Sequence, residues 1–172
     1  MKKNQDRPDF TGFSTKNPDQ GQAILWGKSI KPTILPKSLI DSYLAASYQV
    51  QTDRDGRISL RVGHRSARLS TLLQTTGNTC AVYITACNPE SRITPLAANQ
   101  AAMAGLYEQL AHQSPFIYRG ESIDPSGKWP AEESFLALGI DLPVAKSIGS
   151  KFGQNAIVWM DSAAIPHLVL LR

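Results

Sequence analysis

Two stretches of this chain are apolar on both faces when read as strands, Cys80-Ala-Val-Tyr-Ile-Thr-Ala-Cys87 and Glu132-Glu-Ser-Phe-Leu-Ala-Leu-Gly-Ile140. A strand with no solvent face belongs in the interior of a sheet, so both are read as central strands. The first stops at Asn88-Pro89, and a polar turn carrying Glu90, Ser91 and Arg92 comes next. That pattern delivers polar side chains to a sheet end, a common place for ligand sites.

The other elements are arranged around this pair. Pro36 opens a short helix to about Ala46, with Leu39, Ile40, Tyr43 and Leu44 as its apolar stripe. Ser47–Thr52 and Arg57–Val62 alternate as strands about an Asp53-Arg-Asp-Gly56 turn, a β-hairpin. A helix is predicted over His64–Thr75, packed through Leu69, Leu72 and Leu73. Thr94-Pro95 starts another, reaching about His112 and burying Ala98, Ala102, Leu106 and Leu110. Phe116–Arg119 reads as a strand, Glu121–Pro130 as a polar loop and Asp141–Phe152 as a helix stopped by Gly153. Ala156–Met160 and His167–Leu171 are the last strands.

From residue 80 the order is therefore β-α-β-β-α-β-β. The expected fold class is α+β: a ferredoxin-like split β-α-β sandwich with an N-terminal helix and β-hairpin and an extra C-terminal strand. It puts the two apolar stretches at the sheet centre. They are expected to run parallel there, which sets Asn88 and Glu133 at opposite sheet ends. Residues 1–36, rich in Lys, Asn, Gln, Asp and Pro, read as an irregular arm packed on its own domain; the alternative is a docking arm for a partner, with Trp26 as its anchor. Residues 37–172 form the single α+β domain.

No apolar run approaches the roughly 20 residues a membrane helix needs, so no membrane partner is expected. Lys2 and Lys3 lead into no apolar segment, so no secretory signal is read, and the expected location is cytoplasmic. On one extended strand Cys80 and Cys87 would sit roughly 23 Å apart at about 3.3 Å per residue, too far for a disulfide. Both are read as packing residues; Cys87 as a nucleophile would need His64, His112 or His167 brought to it by the fold. The formal charge is +6 over residues 1–79 and −2 over the rest. Arg57, Arg61, Arg65 and Arg68 form the candidate basic patch, because a guanidinium fork suits phosphate.

Tyr83-Ile-Thr-Ala-Cys-Asn-Pro89, Asn99, Trp129-Pro-Ala-Glu-Glu-Ser-Phe135 and Phe152-Gly-Gln-Asn-Ala156, in this order and spacing, resemble a bacterial family known as domain of unknown function 3293. The resemblance runs from about Ser42 to Trp159, with Cys87 standing where an aromatic residue is expected. It implies a small bacterial cytoplasmic protein and brings no activity, ligand or catalytic residue.

Candidate site residues come from element ends. Glu132 and Glu133 are the candidate catalytic carboxylates; Asn88, Arg92, Asn99, Trp129 and Gln154 are the candidate ligand contacts. No metal-ligand spacing is present and no cofactor is implied. The balance goes to a non-catalytic binding or accessory module whose arginine patch meets nucleic acid or an acidic protein. The alternative is a small enzyme acting on a polar or anionic small molecule, with a Glu general base and Asn, Gln and Arg substrate contacts. It requires a concave pocket in which a glutamate and an amide side chain come within hydrogen-bond reach.

Overall fold

The computed structural model describes residues 33–52 and 56–172. The arm as far as residue 32, with Trp26, and the hairpin turn at 53–55 lie outside the described residues. The elements are α1 (Lys37–Ala45), β1 (Ser47–Thr52), β2 (Gly56–Leu60), α2 (Ala67–Thr75), β3 (Ala81–Ile84), α3 (Leu96–Ala111), β4 (Ile117–Ile123), β5 (Glu132–Leu138), α4 (Leu142–Lys151), β6 (Ala156–Met160) and β7 (His167–Leu170). A 3-10 turn, Pro89–Ser91, separates β3 from α3. The fold is a mixed α+β architecture on one antiparallel sheet, in the order β2-β1-β4-β5-β3-β6-β7.

The two-faced apolar strands β3 and β5 are interior neighbours, and every residue of β3 is buried. They pair antiparallel, with Ala81 opposite Leu138 and Ile84 opposite Phe135, which corrects the parallel arrangement expected from the strand order. The reason lies in the connections. β5 succeeds β4 through a reversing loop and pairs antiparallel with both β4 and β3, so β3 and β4 run in the same direction on either side of it. Asn88 and the start of β5 therefore meet at one sheet end.

Alternation along the strands sorts the core into two layers. Ala81, Tyr83, Leu136, Leu138, Val158 and Met160 pack with Leu69, Leu72 and Leu73 of α2, and with Ile40, Tyr43 and Leu44 of α1. Val82, Phe135, Ala137 and Ile157 on the other face pack with Met103, Leu106 and Leu110 of α3 and with Ala145 and Ile148 of α4. β2 ends at Leu60 and β3 at Ile84, each earlier than expected, and two further boundaries differ for a visible reason. Ser66 caps α2 by accepting from the Leu69 amide, so the helix begins after Arg65. β4 continues through Ile123 because its second half pairs with β1, Ser47 lying opposite Ile123. Among the described residues no helix is long and apolar enough to cross a membrane.

Gly120 on β4 is where the Tyr83 ring crosses the sheet. A Cβ there would lie 2.5 Å from the Gln49 carbonyl oxygen and 2.9 Å from Tyr83 Cε2. Gly120→Ala is expected to cost about 1–3 kcal/mol through overpacking, read as a lower denaturation midpoint with an unchanged slope. An unchanged midpoint would show that both the Gln49 backbone and the Tyr83 ring move aside freely.

Candidate functional site

Where β3 ends, the chain turns sharply. Asn88 adopts a left-handed backbone with φ 46° and ψ 59°, and Glu90 and Ser91 both have φ 56°. Asparagine enters this region more readily than most side chains, and a cluster of such residues must be held by its surroundings. Here the holding groups are hydrogen bonds. The Asn88 backbone amide donates to Asn99 Oδ1 at 2.9 Å. Asn88 Oδ1 accepts from the Thr94 amide at 3.0 Å and from Asn99 Nδ2 at 3.1 Å. Thr94 Oγ1 closes the ring by donating to Asn99 Oδ1.

The remaining donor of Asn88, Nδ2, reaches Glu132 Oε1 at 2.7 Å. Trp129 Nε1 donates to the same oxygen at 2.9 Å. Among the described residues Glu132 Oε2 receives no hydrogen bond, and none of the ion pairs involves Glu132. Burial pushes the Glu132 carboxyl above the usual glutamate range, and the two donors oppose that shift only in part. Glu132 has the strand parity of Ser134 and Leu136, which directs it to the face carrying Tyr83.

On that face a cavity of about 220 Å³ lies between α1, the β4–β5 loop and the sheet. Tyr43, Tyr48, Tyr83, Trp129 and Leu168 form much of its wall, with Asn88, Glu132 and Gln154 at its polar end. The loop that carries Trp129 is tied to one carboxylate. Asp124 accepts from the amides of Ser126 at 2.9 Å and of Lys128 and Trp129 at 3.1 Å. The hydrogen bonds from Ser126, first its hydroxyl, hold the Asp124 carboxyl below its ordinary value. On the opposite wall Ser91 Oγ lies 2.9 Å from the Tyr43 hydroxyl and accepts from Asn155 Nδ2 at 2.9 Å.

The residues singled out from sequence divide clearly. Asn88, Asn99, Trp129 and Glu132 form one connected network, and Gln154 supports it by donating to the Cys87 carbonyl at 3.1 Å. Asn88 and Asn99 spend their side-chain groups on the network itself, so their part is to position Glu132. Glu133 has the other strand parity and pairs with Arg119 at 3.6 Å. Arg92 is exposed, pairs with Glu90 at 3.3 Å and is not on the cavity wall. Arg57, Arg61, Arg65 and Arg68 are exposed and do not line the cavity; Arg65 donates to Ser70 Oγ and Arg68 to the Arg57 carbonyl. Cys87 is buried, and that burial raises its thiol pKa, which disfavours a thiolate. Among the described residues no three His, Cys, Asp or Glu side chains are grouped to hold a metal ion.

Sequence reasoning did not single out Tyr48, Tyr83, Thr94, Asp124 or Asn155 for the site. Asp124 carried a usable signal, an Asp-Pro-Ser-Gly turn that leads through Lys128 to Trp129. The tyrosines carried none, because a tyrosine on a buried strand reads as core.

Because the folded pKa of Glu132 is raised, the stability linked to it is fully present below its unfolded pKa and is lost as pH rises through the folded one. Glu132→Gln keeps an acceptor for Asn88 and Trp129 and removes the charge. The variant is expected to gain stability relative to the parent as pH rises from the ordinary glutamate range upward, measured by denaturant titration at stepped pH. Parallel pH–stability curves would contradict the assigned environment.

No solved structure and no curated protein matches this chain. Residues 84–157, less than half of the chain, match the model of a family described as "Protein of unknown function (DUF3293)". That span contains Asn88, Asn99, Trp129, Glu132 and Gln154, so the chain resembles this family over the segment that builds the polar end of the cavity.

Proposed function

We propose that the cavity binds a small organic molecule and that Glu132 is the acid–base group acting on it. One observation carries this reading. Glu132 Oε1 is anchored by Asn88 and Trp129, while Oε2, on a carboxylate that lines the cavity, has no partner among the described residues. A general base needs a fixed orientation, an unoccupied lone pair and a pKa moved toward the working pH. Burial acts in that direction on Glu132. Arg92 and Glu133 are not part of this reading, since both make ion pairs away from the cavity wall.

The same proposal includes the finer classification of the fold. The order β4-β5-β3-β6 within the sheet is what a ferredoxin-like split β-α-β arrangement would have, and the hairpin β1–β2 and strand β7 extend it on either side. A cytoplasmic setting is also proposed; the free cysteines Cys80 and Cys87 support it.

The test is turnover of a fractionated pool of small metabolites by the parent protein and by Glu132→Gln, read by mass spectrometry. Consumption of one component by the parent, slowed about 100-fold or more in the variant, is the expected result. Equal consumption by both proteins would remove Glu132 from the chemistry.

A second reading is that the protein engages nucleic acid or an acidic protein through Arg57, Arg61, Arg65 and Arg68, and the exposure of all four supports it. Binding of a short DNA or RNA duplex is then expected to weaken steeply between low and moderate salt. Replacing all four by alanine is expected to flatten that dependence. Binding that survives the replacement would sink this reading.

A further inference from the structure

The electrostatics of the cavity narrow what fits it. Glu132 sits in a partly buried wall with no Lys, Arg or His paired to it among the described residues. Lys128, the one cation on the cavity wall among the described residues, is exposed and makes no ion pair with Glu132. The Glu132 carboxylate is close enough to bear on the phenols of Tyr48 and Tyr83. An unpaired, partly buried anion is costly, and the cost falls when a ligand brings the opposite charge. The neighbouring rings of Tyr43, Tyr48, Tyr83 and Trp129 favour a cation over an anion as well.

The hydrogen-bond count at Glu132 narrows the class further. Oε1 already accepts from two donors, Asn88 Nδ2 and Trp129 Nε1. A guanidinium or amidinium fork gains its advantage by donating to both carboxylate oxygens at once. With one oxygen occupied, that advantage is lost, whereas an ammonium is a compact point charge that can direct one of its three donors to Oε2 alone. At about 220 Å³ the cavity lies below the roughly 300–1,000 Å³ of sites for drug-sized ligands, so the apolar body must be small.

We infer that the cavity is a site for a small primary amine, its ammonium group donating to Glu132 Oε2 and its apolar or aromatic body lying against Tyr43, Tyr48 and Tyr83. This rests on the cavity being a small-molecule site, as proposed above. It adds the charge and geometry of the ligand and is independent of whether Glu132 goes on to do chemistry.

Four probes of one size separate the possibilities: benzylamine, benzamidine, benzyl alcohol and benzoate, titrated near neutral pH and monitored by Trp129-sensitive fluorescence and by ligand-observed NMR. Benzylamine is expected to bind tightest of the four. Glu132→Gln is expected to weaken it about 10- to 100-fold while leaving benzyl alcohol unchanged, the range of a charge-assisted hydrogen bond. Ser42→Trp, a change at an exposed position on the cavity rim, is expected to weaken every probe that enters and so confirms the location. Benzamidine equal to or tighter than benzylamine would overturn the ammonium assignment. Benzyl alcohol or benzoate equal to or tighter than benzylamine would overturn the cation assignment while leaving the small-molecule site intact. Absence of binding by all four would overturn both.

Discussion

Antiparallel pairing of β3 with β5 is the constraint on which the rest of this molecule depends. With Ile84 opposite Phe135, the residues that continue beyond β3 run alongside the residues that begin β5. The contact persists past the formal strand, Thr85 Oγ1 donating to the Glu133 carbonyl at 2.7 Å. Asn88 and Glu132 are thereby brought within a hydrogen bond although 44 residues separate them. A parallel pairing of the same strands would hold the two side chains a strand length apart, and the cavity would lose its polar end.

That meeting sets up a trade between strain and connection. Left-handed backbone at Asn88, Glu90 and Ser91 carries a cost of order 1–3 kcal/mol at each non-glycine position. Glycine at 88 would relieve the backbone there, but only a side-chain amide also accepts from Thr94 and Asn99 while donating to Glu132. The network therefore holds the turn and orients the carboxylate in one set of contacts. Two donors on a single oxygen do not fully offset the desolvation of Glu132, which is why its proton is held more tightly than in water.

The walls obey a different logic. The Tyr48 hydroxyl donates to the Tyr43 carbonyl at 2.6 Å and joins α1 to the sheet. The Tyr83 hydroxyl donates to the Gln49 carbonyl at 3.3 Å, passing over Gly120. Desolvation first, then neighbouring charge for Tyr48, holds both phenols well above their ordinary values, so they stay neutral. With their hydroxyls committed to backbone acceptors, these tyrosines offer ring surface to the cavity, while Glu132 and its supports form its polar end.

Local information carried much of this. Hydrophobic period, proline and glycine punctuation and capping residues were enough to read four helices and seven strands in order, and to set β3 and β5 inside the sheet, because these signals act over a few residues. They also marked Asn88, Asn99, Trp129, Glu132 and Gln154 as polar groups at element ends. The direction of β5 against β3 follows from the order of connections, a crossover and then a reversal, whereas the choice between Glu132 and Glu133 was not legible, since it depends on how distant segments pair. Parity along β5 means little until its neighbours and covering helices are known. Only the tertiary structure decided that Glu132 faces the tyrosine-lined cavity, Glu133 the opposite side, and that Arg92 turns away to Glu90. The chain by itself determined which segments are strands and helices; their antiparallel assembly determined which of its polar residues meet, because that meeting depends on long-range register rather than on local propensity.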